Sequence, residues 1–164
     1  MSLSTLDLRT ADLPDPPMAA VPLAEVDLDA LGDLYIAAHG DIPSRSPRSP
    51  VTPEAFRRDV LENDQVDPDA SAAIIEDGEP VAFTLVIANR EARGAGTQLT
   101  GVRRDRRGRG LAFAVKVESL HRARAAGLGT MLVANDLENG PMLAVNRKLG
   151  FQPSVLVEHY DRAL

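Results

Sequence analysis

The sequence predicts an α/β fold of the α+β type: a mixed, largely antiparallel central sheet with helices on both faces. Three observations carry that prediction. Two strand-like runs, 72–76 and 80–88, flank Asp77-Gly78, a pair that readily adopts the positive φ angles of a tight hairpin turn. A third run, 97–102, leads through an arginine turn broken by glycines directly into an apolar-striped segment, 111–126. The element order then reads strand, two helices, three strands, helix, strand, helix, strand. An antiparallel meander followed by strand–helix–strand units requires helices packed on the sheet.

Each element has its own signal. Leu6 and Leu8 alternate with Asp7 and Arg9, which predicts a short first strand. Four prolines between Asp12 and Pro22 make an irregular connection. Val26, Leu28, Leu31, Leu34, Tyr35 and Ala38 recur at helical spacing, with Gly40 as the stop. Residues 41–53 are rich in proline and serine and read as a loop. Thr52 is placed to cap a second helix with Pro53 at its first position, running through Phe56, Val60 and Leu61. The acidic run 62–69 ends it. After the hairpin, 91–96 reads as a turn and 97–102 as the next strand. Phe113, Val117 and Leu120 line one face of the following helix, and Gly127 closes it. A short buried strand over 130–134 precedes a helix over 141–149, whose Met142, Val145 and Leu149 face inward, and a last strand covers 155–160.

Composition narrows the classes of function. At 164 residues the chain is expected to form one domain, 1–164, with one core. It has no cysteine, which excludes disulfides, a thiol nucleophile and thiolate metal sites. His39, His121 and His159 lack metal-ligand spacing, so no metal is expected. There is no long apolar run and no basic segment ahead of an apolar stretch, so a cytoplasmic protein with no membrane partner is expected. Net charge is −6, yet the segment 103–124 carries a local +6 and the remainder −12. One basic patch on an acidic chain suits a small polyanion, whereas nucleic acid calls for a broad basic face and stacking aromatics, of which there are two Tyr, four Phe and no Trp.

The patch centres on 102–112, a strand end, an arginine turn and a helix start. Helix N-termini present unpaired N–H groups and partial positive charge, and so bind anions. Gly108 and Gly110 remove side chains where the backbone must turn and approach a ligand. Arg103, Arg104, Arg106, Arg107 and Arg109 surround it, so a pyrophosphate is a natural occupant. A basic surface turn that merely joins strand to helix is the other reading of these residues. A P-loop or dinucleotide fold is excluded, since there is no G-K-(S/T) and no third glycine with a following acidic residue.

With these residues in place, the chain resembles the GNAT superfamily of acyl-CoA N-acyltransferases. The family signature (Q/R)-x-x-G-x-(G/A) is met by Arg107, Gly110 and Ala112, with Val102 at the usual apolar position five residues before the arginine. Downstream the family shows N-x-x-(small or apolar)-x-x-x-Y and then Gly-Phe. Asn139, Met142 and Gly150-Phe151 fall in register, while Asn146 stands in the place of the tyrosine. The resemblance spans 102–151 and implies acetyl-CoA, or another acyl-CoA, as co-substrate. It implies that backbone groups of Arg107, Gly108, Arg109, Gly110, Leu111 and Ala112 hold the pyrophosphate. Thr100, Gly101 and Val102 would pair with the pantetheine arm, and Asn139 would serve as a helix cap, as a contact to that arm, or as both. Asn146 would lie near the acyl end.

The implied reaction is direct attack of an amine on a thioester, which needs a neutral amine, a donor for the carbonyl oxygen and a proton for the thiolate. Asn146 can donate a hydrogen bond but cannot transfer a proton at useful pH. Tyr160 or water is the substitute. The strand 97–102 carries no carboxylate, which leaves His39 and Asp41 as the ionisable pair on the acceptor side. The acceptor would be a small-molecule or peptide amine, bordered by the loop 42–53, and the sheet edges leave a homodimer open. A catalytically degenerate acyl-CoA-binding module is the alternative.

Overall fold

The computed structural model describes residues 1–43 and 49–156. Seven strands form one sheet: β1 (Ser2–Asp7), β2 (Val21–Pro22), β3 (Ala72–Glu76), β4 (Glu79–Asn89), β5 (Gly94–Val102), β6 (Thr130–Asn135) and β7 (Gln152–Leu156). Their spatial order is β2-β3-β4-β5-β6-β1-β7, and every pairing is antiparallel except β5 with β6. The helices are α1 (Leu28–Gly40), α2 (Pro53–Phe56), α3 (Leu111–Ala125) and α4 (Gly140–Lys148). Mixed α+β architecture with a largely antiparallel sheet is thus what the chain adopts.

Local chemistry sets the helix starts. Asp27 caps α1, its carboxylate accepting the N–H groups of Asp29 and Ala30 at 3.0 Å each. Thr52 caps α2 by accepting the Ala55 N–H at 3.2 Å, with Pro53 in the first turn as the sequence predicts. The second helix does not continue as regular α-helix. Residues Arg57–Leu61 widen into a π turn, closed by the Glu62 N–H on the Arg57 carbonyl at 2.9 Å.

Three strands differ from their sequence-based extents, and β2 lies in the stretch 12–22 read as an irregular connection. β1 runs Ser2–Asp7, so Leu8 and Arg9 of the expected first strand fall in the turn that follows it. β5 begins at Gly94, because Gly94, Ala95 and Gly96 pair with β4 on one side and β6 on the other, although their small side chains read as a turn. β7 begins at Gln152, directly after buried Phe151, and pairs with β1. Its first residues, Gln152, Pro153 and Ser154, are exposed and so carry no apolar signal. The remainder of the strand expected to end at 160 lies outside the described residues.

The core has two sides. Leu31, Leu34, Tyr35, Phe56, Phe83 and Leu85 pack α1 and α2 onto one face of β4 and β5. Tyr35 and Phe56 meet as a tilted ring pair 5.2 Å apart, an arrangement worth ~0.5–1.5 kcal/mol beyond its buried area. On the opposite face α3 contributes Leu111, Ala114 and Val115 against β3 and β4, and Val117 and Leu120 against β1 and β6. The sheet is thereby held rigidly on both sides of β5, the strand on which the candidate site is built.

Candidate functional site

β5 is bound differently along its two halves. Gly94–Gly96 pairs with Thr130–Leu132 of β6, and there the parallel pairing stops. On its other edge β5 keeps pairing with β4 as far as Val102 opposite Ala82. The register slips between Leu85 and Val86, so that Gln98 is the extra residue of a bulge just where β5 leaves β6. Beyond that point a seam opens in the middle of the sheet.

Two cavities lie along the seam. The larger, of about 550 Å³, is bounded by Thr100–Val102 of β5, the arginine turn, the first residues of α3, the start of α4 and the end of α1. The smaller, of about 240 Å³, lies between Thr97–Thr100 of β5 and Val133–Asn135 of β6. Ile42, Thr100, Asn139 and Met142 line both, so the cavities adjoin.

The mouth of the larger cavity is the N-terminus of α3. Gly108 and Gly110 have φ of 76° and 77°, in the left-handed region that disfavours any side chain, and a Cβ at either would point into open space. Gly110 is the residue before the helix and supplies no side-chain cap. Hydrogen bonding within the helix begins with the Ala114 N–H on the Gly110 carbonyl at 3.0 Å. The N–H groups of Leu111, Ala112 and Phe113 therefore lie ahead of the helical ladder, at residues that line the cavity.

Gly101 has a different reason to be glycine. A Cβ there would sit 2.6 Å from the Ala38 Cβ and 2.6 Å from the Phe83 ring, so its absence lets α1 press against β5. That packing brings the C-terminal end of α1, and with it Asp41, to the arginine turn. Thr100 is fixed by a 2.8 Å hydrogen bond between its hydroxyl and that of Thr84.

Every arginine of the turn has an acidic partner. Asp41 accepts Arg104 Nε at 2.7 Å and Arg107 at 2.6 Å, and also pairs with the second nitrogen of Arg104. Glu76 holds Arg106 at 2.8 Å and Arg109 at 3.2 Å, while Asp105 holds Arg103 and Arg106 at 2.7 Å each. Arg107 also donates to the Val102 carbonyl at 3.1 Å, tying the turn to the end of β5. Hydrogen bonds from Arg104 and Arg107 hold the Asp41 carboxyl far below the ordinary carboxylate range. Held by both arginines, Asp41 is a weak proton acceptor in the free protein.

The other sequence-derived candidates are dispersed. His39 is half-buried in the last turn of α1, its ring 6.3 Å from that of Tyr35. Asn139 caps α4 by accepting the Met142 N–H at 3.3 Å while lining both cavities. Met142 and Val145, read from the sequence as facing inward, are wall residues of the larger cavity. Asn146 is 4% exposed and lines neither cavity itself, but it donates its amide at 2.6 Å to the side chain of Asn135, which lines the smaller one. Tyr160 lies outside the described residues. Thr100, Gly101, Val102, Arg107, Gly108, Gly110, Leu111, Ala112 and Asn139 line the larger cavity together; Arg109 lies beside it on Glu76.

Sequence reasoning missed Lys116. It sits in the buried stripe of α3, between Val115 and Val117, and lines the smaller cavity. Its signal is a lysine where the helical period calls for an apolar residue. Among the described residues no cluster of His, Asp or Glu could hold a metal, and no helix is long and apolar enough to cross a membrane.

The fold recurs in solved structures. A GCN5-related N-acetyltransferase from Sphaerobacter thermophilus matches 93% of this chain with a TM-score of 0.75 at 21% identity; the match covers 48% of that protein, so the chain spans about half its length. The ribosomal-protein-S18-alanine N-acetyltransferase from Escherichia coli matches 84% of the chain with a TM-score of 0.67 at 18% identity, covering 79% of its own length. A tandem GNAT protein from the clavulanic acid biosynthesis pathway matches 93% with a TM-score of 0.64 at 20% identity, again over 49% of the larger protein. At such identities the likeness is one of fold. A search of curated proteins finds no match. The family described as Acetyltransferase (GNAT) matches residues 34–151, which takes in the C-terminal half of α1, the seam and the arginine turn, and the chain belongs to that family.

Proposed function

We propose that the chain transfers an acetyl group from acetyl-CoA to a primary amine of a small molecule or peptide. The observation that carries this reading is the pair of adjoining cavities, running from the free N–H groups of α3 into a seam where β5 has lost its strand partner. A pyrophosphate fits the mouth: three helical N–H groups, two glycines without obstructing side chains and Arg107 converge there. The walls of the cavity, with Val102, Phe113, Pro141, Met142 and Val145, suit an extended, mostly apolar arm. Bound acetyl-CoA supplies an activated thioester.

The chain's residues do the rest. Backbone groups of Thr100–Val102 on the open side of β5 pair with the arm as a missing strand would, and one N–H polarises the carbonyl oxygen as charge develops on it. Rigid packing of β5 between α1 and α3 keeps that donor aimed. Arg107 and Arg109 exchange carboxylate partners for phosphate oxygens, so their net gain is smaller than that of unpaired arginines. The asparagine at 146, where the family carries a tyrosine, is what keeps a binding module without turnover as the alternative. Acceptor amines, including peptides with N-terminal alanine and aminoglycosides, separate the two readings by thiol release.

Calorimetric titration with acetyl-CoA and with CoA tests the site. Gly110→Val should weaken binding at least about tenfold, because a β-branched residue at φ of 77° must abandon that conformation at a cost of ~1–3 kcal/mol and so misaims the N–H groups. Undiminished affinity in a folded Gly110→Val protein, or no binding by the wild type, would overturn the assignment.

A further inference from the structure

The basic residues of this chain are almost all arginine; Lys116 and Lys148 are its only lysines. Lys148 is exposed, its ammonium resting 4.3 Å from the Phe113 ring centroid. Lys116 is 3% exposed. Its Nζ lies 3.4 Å from the Thr97 hydroxyl and 5.6 Å from the centre of the Phe151 ring, and neither contact neutralises a charge. A structural lysine at such depth is ordinarily held by a carboxylate. Here burial without that compensation lowers the ammonium to about 7, so that near neutrality much of it is free amine with an available lone pair. Arginine at this position would remain charged, which gives the use of lysine a chemical meaning.

Its surroundings are those of a reaction chamber. The smaller cavity, lined by Lys116, adjoins the larger one at Thr100, Asn139 and Met142. The residues facing Lys116 across it are Thr97 and Gln98 of β5, Asn135 at the end of β6, Asp136 just beyond, and Met1. An acyl group carried into the seam from the mouth at α3 would enter where Thr100, Asn139 and Met142 line both spaces.

We propose that Lys116 is a self-acylation site, its amine taking the acyl group of an acyl-CoA held in the adjoining cavity. This rests on the acyl-CoA reading above. The Nζ lone pair attacks the thioester carbonyl carbon, a C–N bond forms and the C–S bond breaks. The proton lost from nitrogen goes to the departing thiolate, leaving an ε-N-acyl-lysine and free CoA thiol. No oxidant, reductant or further reactant enters. The product amide is neutral, which relieves the burial of a cation and places a polar carbonyl at the bottom of the seam.

The test needs no acceptor. The whole chain is incubated with acetyl-CoA alone, and acetylation is followed by intact mass and by tryptic mapping, in which acetyl-Lys116 leaves the peptide 110–122 uncut. Lys116 should acquire one acetyl group at least about tenfold faster than Lys148, reflecting its larger free-amine fraction. Gly110→Val should slow that labelling. Lys116→Met and Lys116→Arg should remain unlabelled at the seam while still binding CoA by calorimetry. Binding of acetyl-CoA without acetylation of Lys116, or equal labelling of Lys148, would overturn the proposal and leave the acyl-CoA site standing. Failure of acetyl-CoA to bind at all would bring down both.

Discussion

Asp41 makes two contributions to the arginine turn, and they oppose one another. Its carboxylate orders Arg104 and Arg107 in the free protein, and it also places a negative charge on the wall of a cavity suited to a polyanion. For a ligand with several phosphate charges the second effect should dominate, because each arginine already has a fixed backbone and loses little order. Asp41→Asn is therefore expected to tighten CoA binding by about three- to tenfold, the ~1 kcal/mol scale of one like-charge interaction near a surface. Calorimetry at low and high salt checks it: the gain should shrink as salt rises, and weaker binding would show that ordering prevails. Asp105 is local to the turn, but the turn's two other carboxylates could not be assigned from sequence. Asp41 and Glu76 lie far along the chain from the arginines they hold, and only the packing of α1 and the β3–β4 hairpin around β5 unites them. Lys116 was hidden for the opposite reason, since its neighbours in sequence are apolar and its role depends on a cavity two strands wide.

At the level of elements, local chemistry was legible and long-range pairing was not. Asp77-Gly78, Thr52-Pro53 and the Gly108–Gly110 turn each announce themselves, because their backbone geometry depends on the residues themselves. Gly94–Gly96 does not, since its strand state comes from β4 and β6 on either side. The same contrast predicts how caps behave. The Asp27 carboxylate satisfies two N–H groups of α1, and α1 carries Ala38 and Asp41 to the site. Asp27→Ala should cost ~1 kcal/mol of stability, read from chemical denaturation with an unchanged slope. CoA affinity should stay within about twofold, because the cap lies at the far end of the helix from the cavity. A large affinity loss would mean that α1 moves as a lever on the turn.

For the whole molecule, charge pairing sets the response to pH. Asp7, Asp41, Asp59, Glu76 and Asp105 are all held below their ordinary values, 3.8 for aspartate and 4.5 for glutamate, chiefly by hydrogen bonds from arginine. A carboxyl with a depressed folded pKa lends stability that is complete above its unfolded value and is lost as pH falls through the folded one. Melting temperature should hold down to about pH 4.5 and decline below it, less steeply in Asp41→Asn. Lys116 acts at the other end. Its folded value of about 7 lies below the ordinary 10.5, so the unfolded chain binds the extra proton between those limits and stability rises with pH across that window. Lys116→Met should flatten this rise and stabilise the protein at pH 7 by roughly 2–4 kcal/mol. Thermal melts across the range check both limbs.

A sheet ordinarily has two edges, and this one has a third, enclosed within it. From Thr97 onward the amides of β5 that face away from β4 have no strand to hold them, although the strand itself is pinned by α1, α3 and the Thr84–Thr100 hydroxyl pair. Being recessed, this inner edge is closed to the intermolecular pairing that threatens an outer one. It should nonetheless betray itself in hydrogen–deuterium exchange as a fast-exchanging stretch inside a slow sheet, and go silent when CoA is added. The sheet thus has six pairings and one internal edge along β5 that no strand covers.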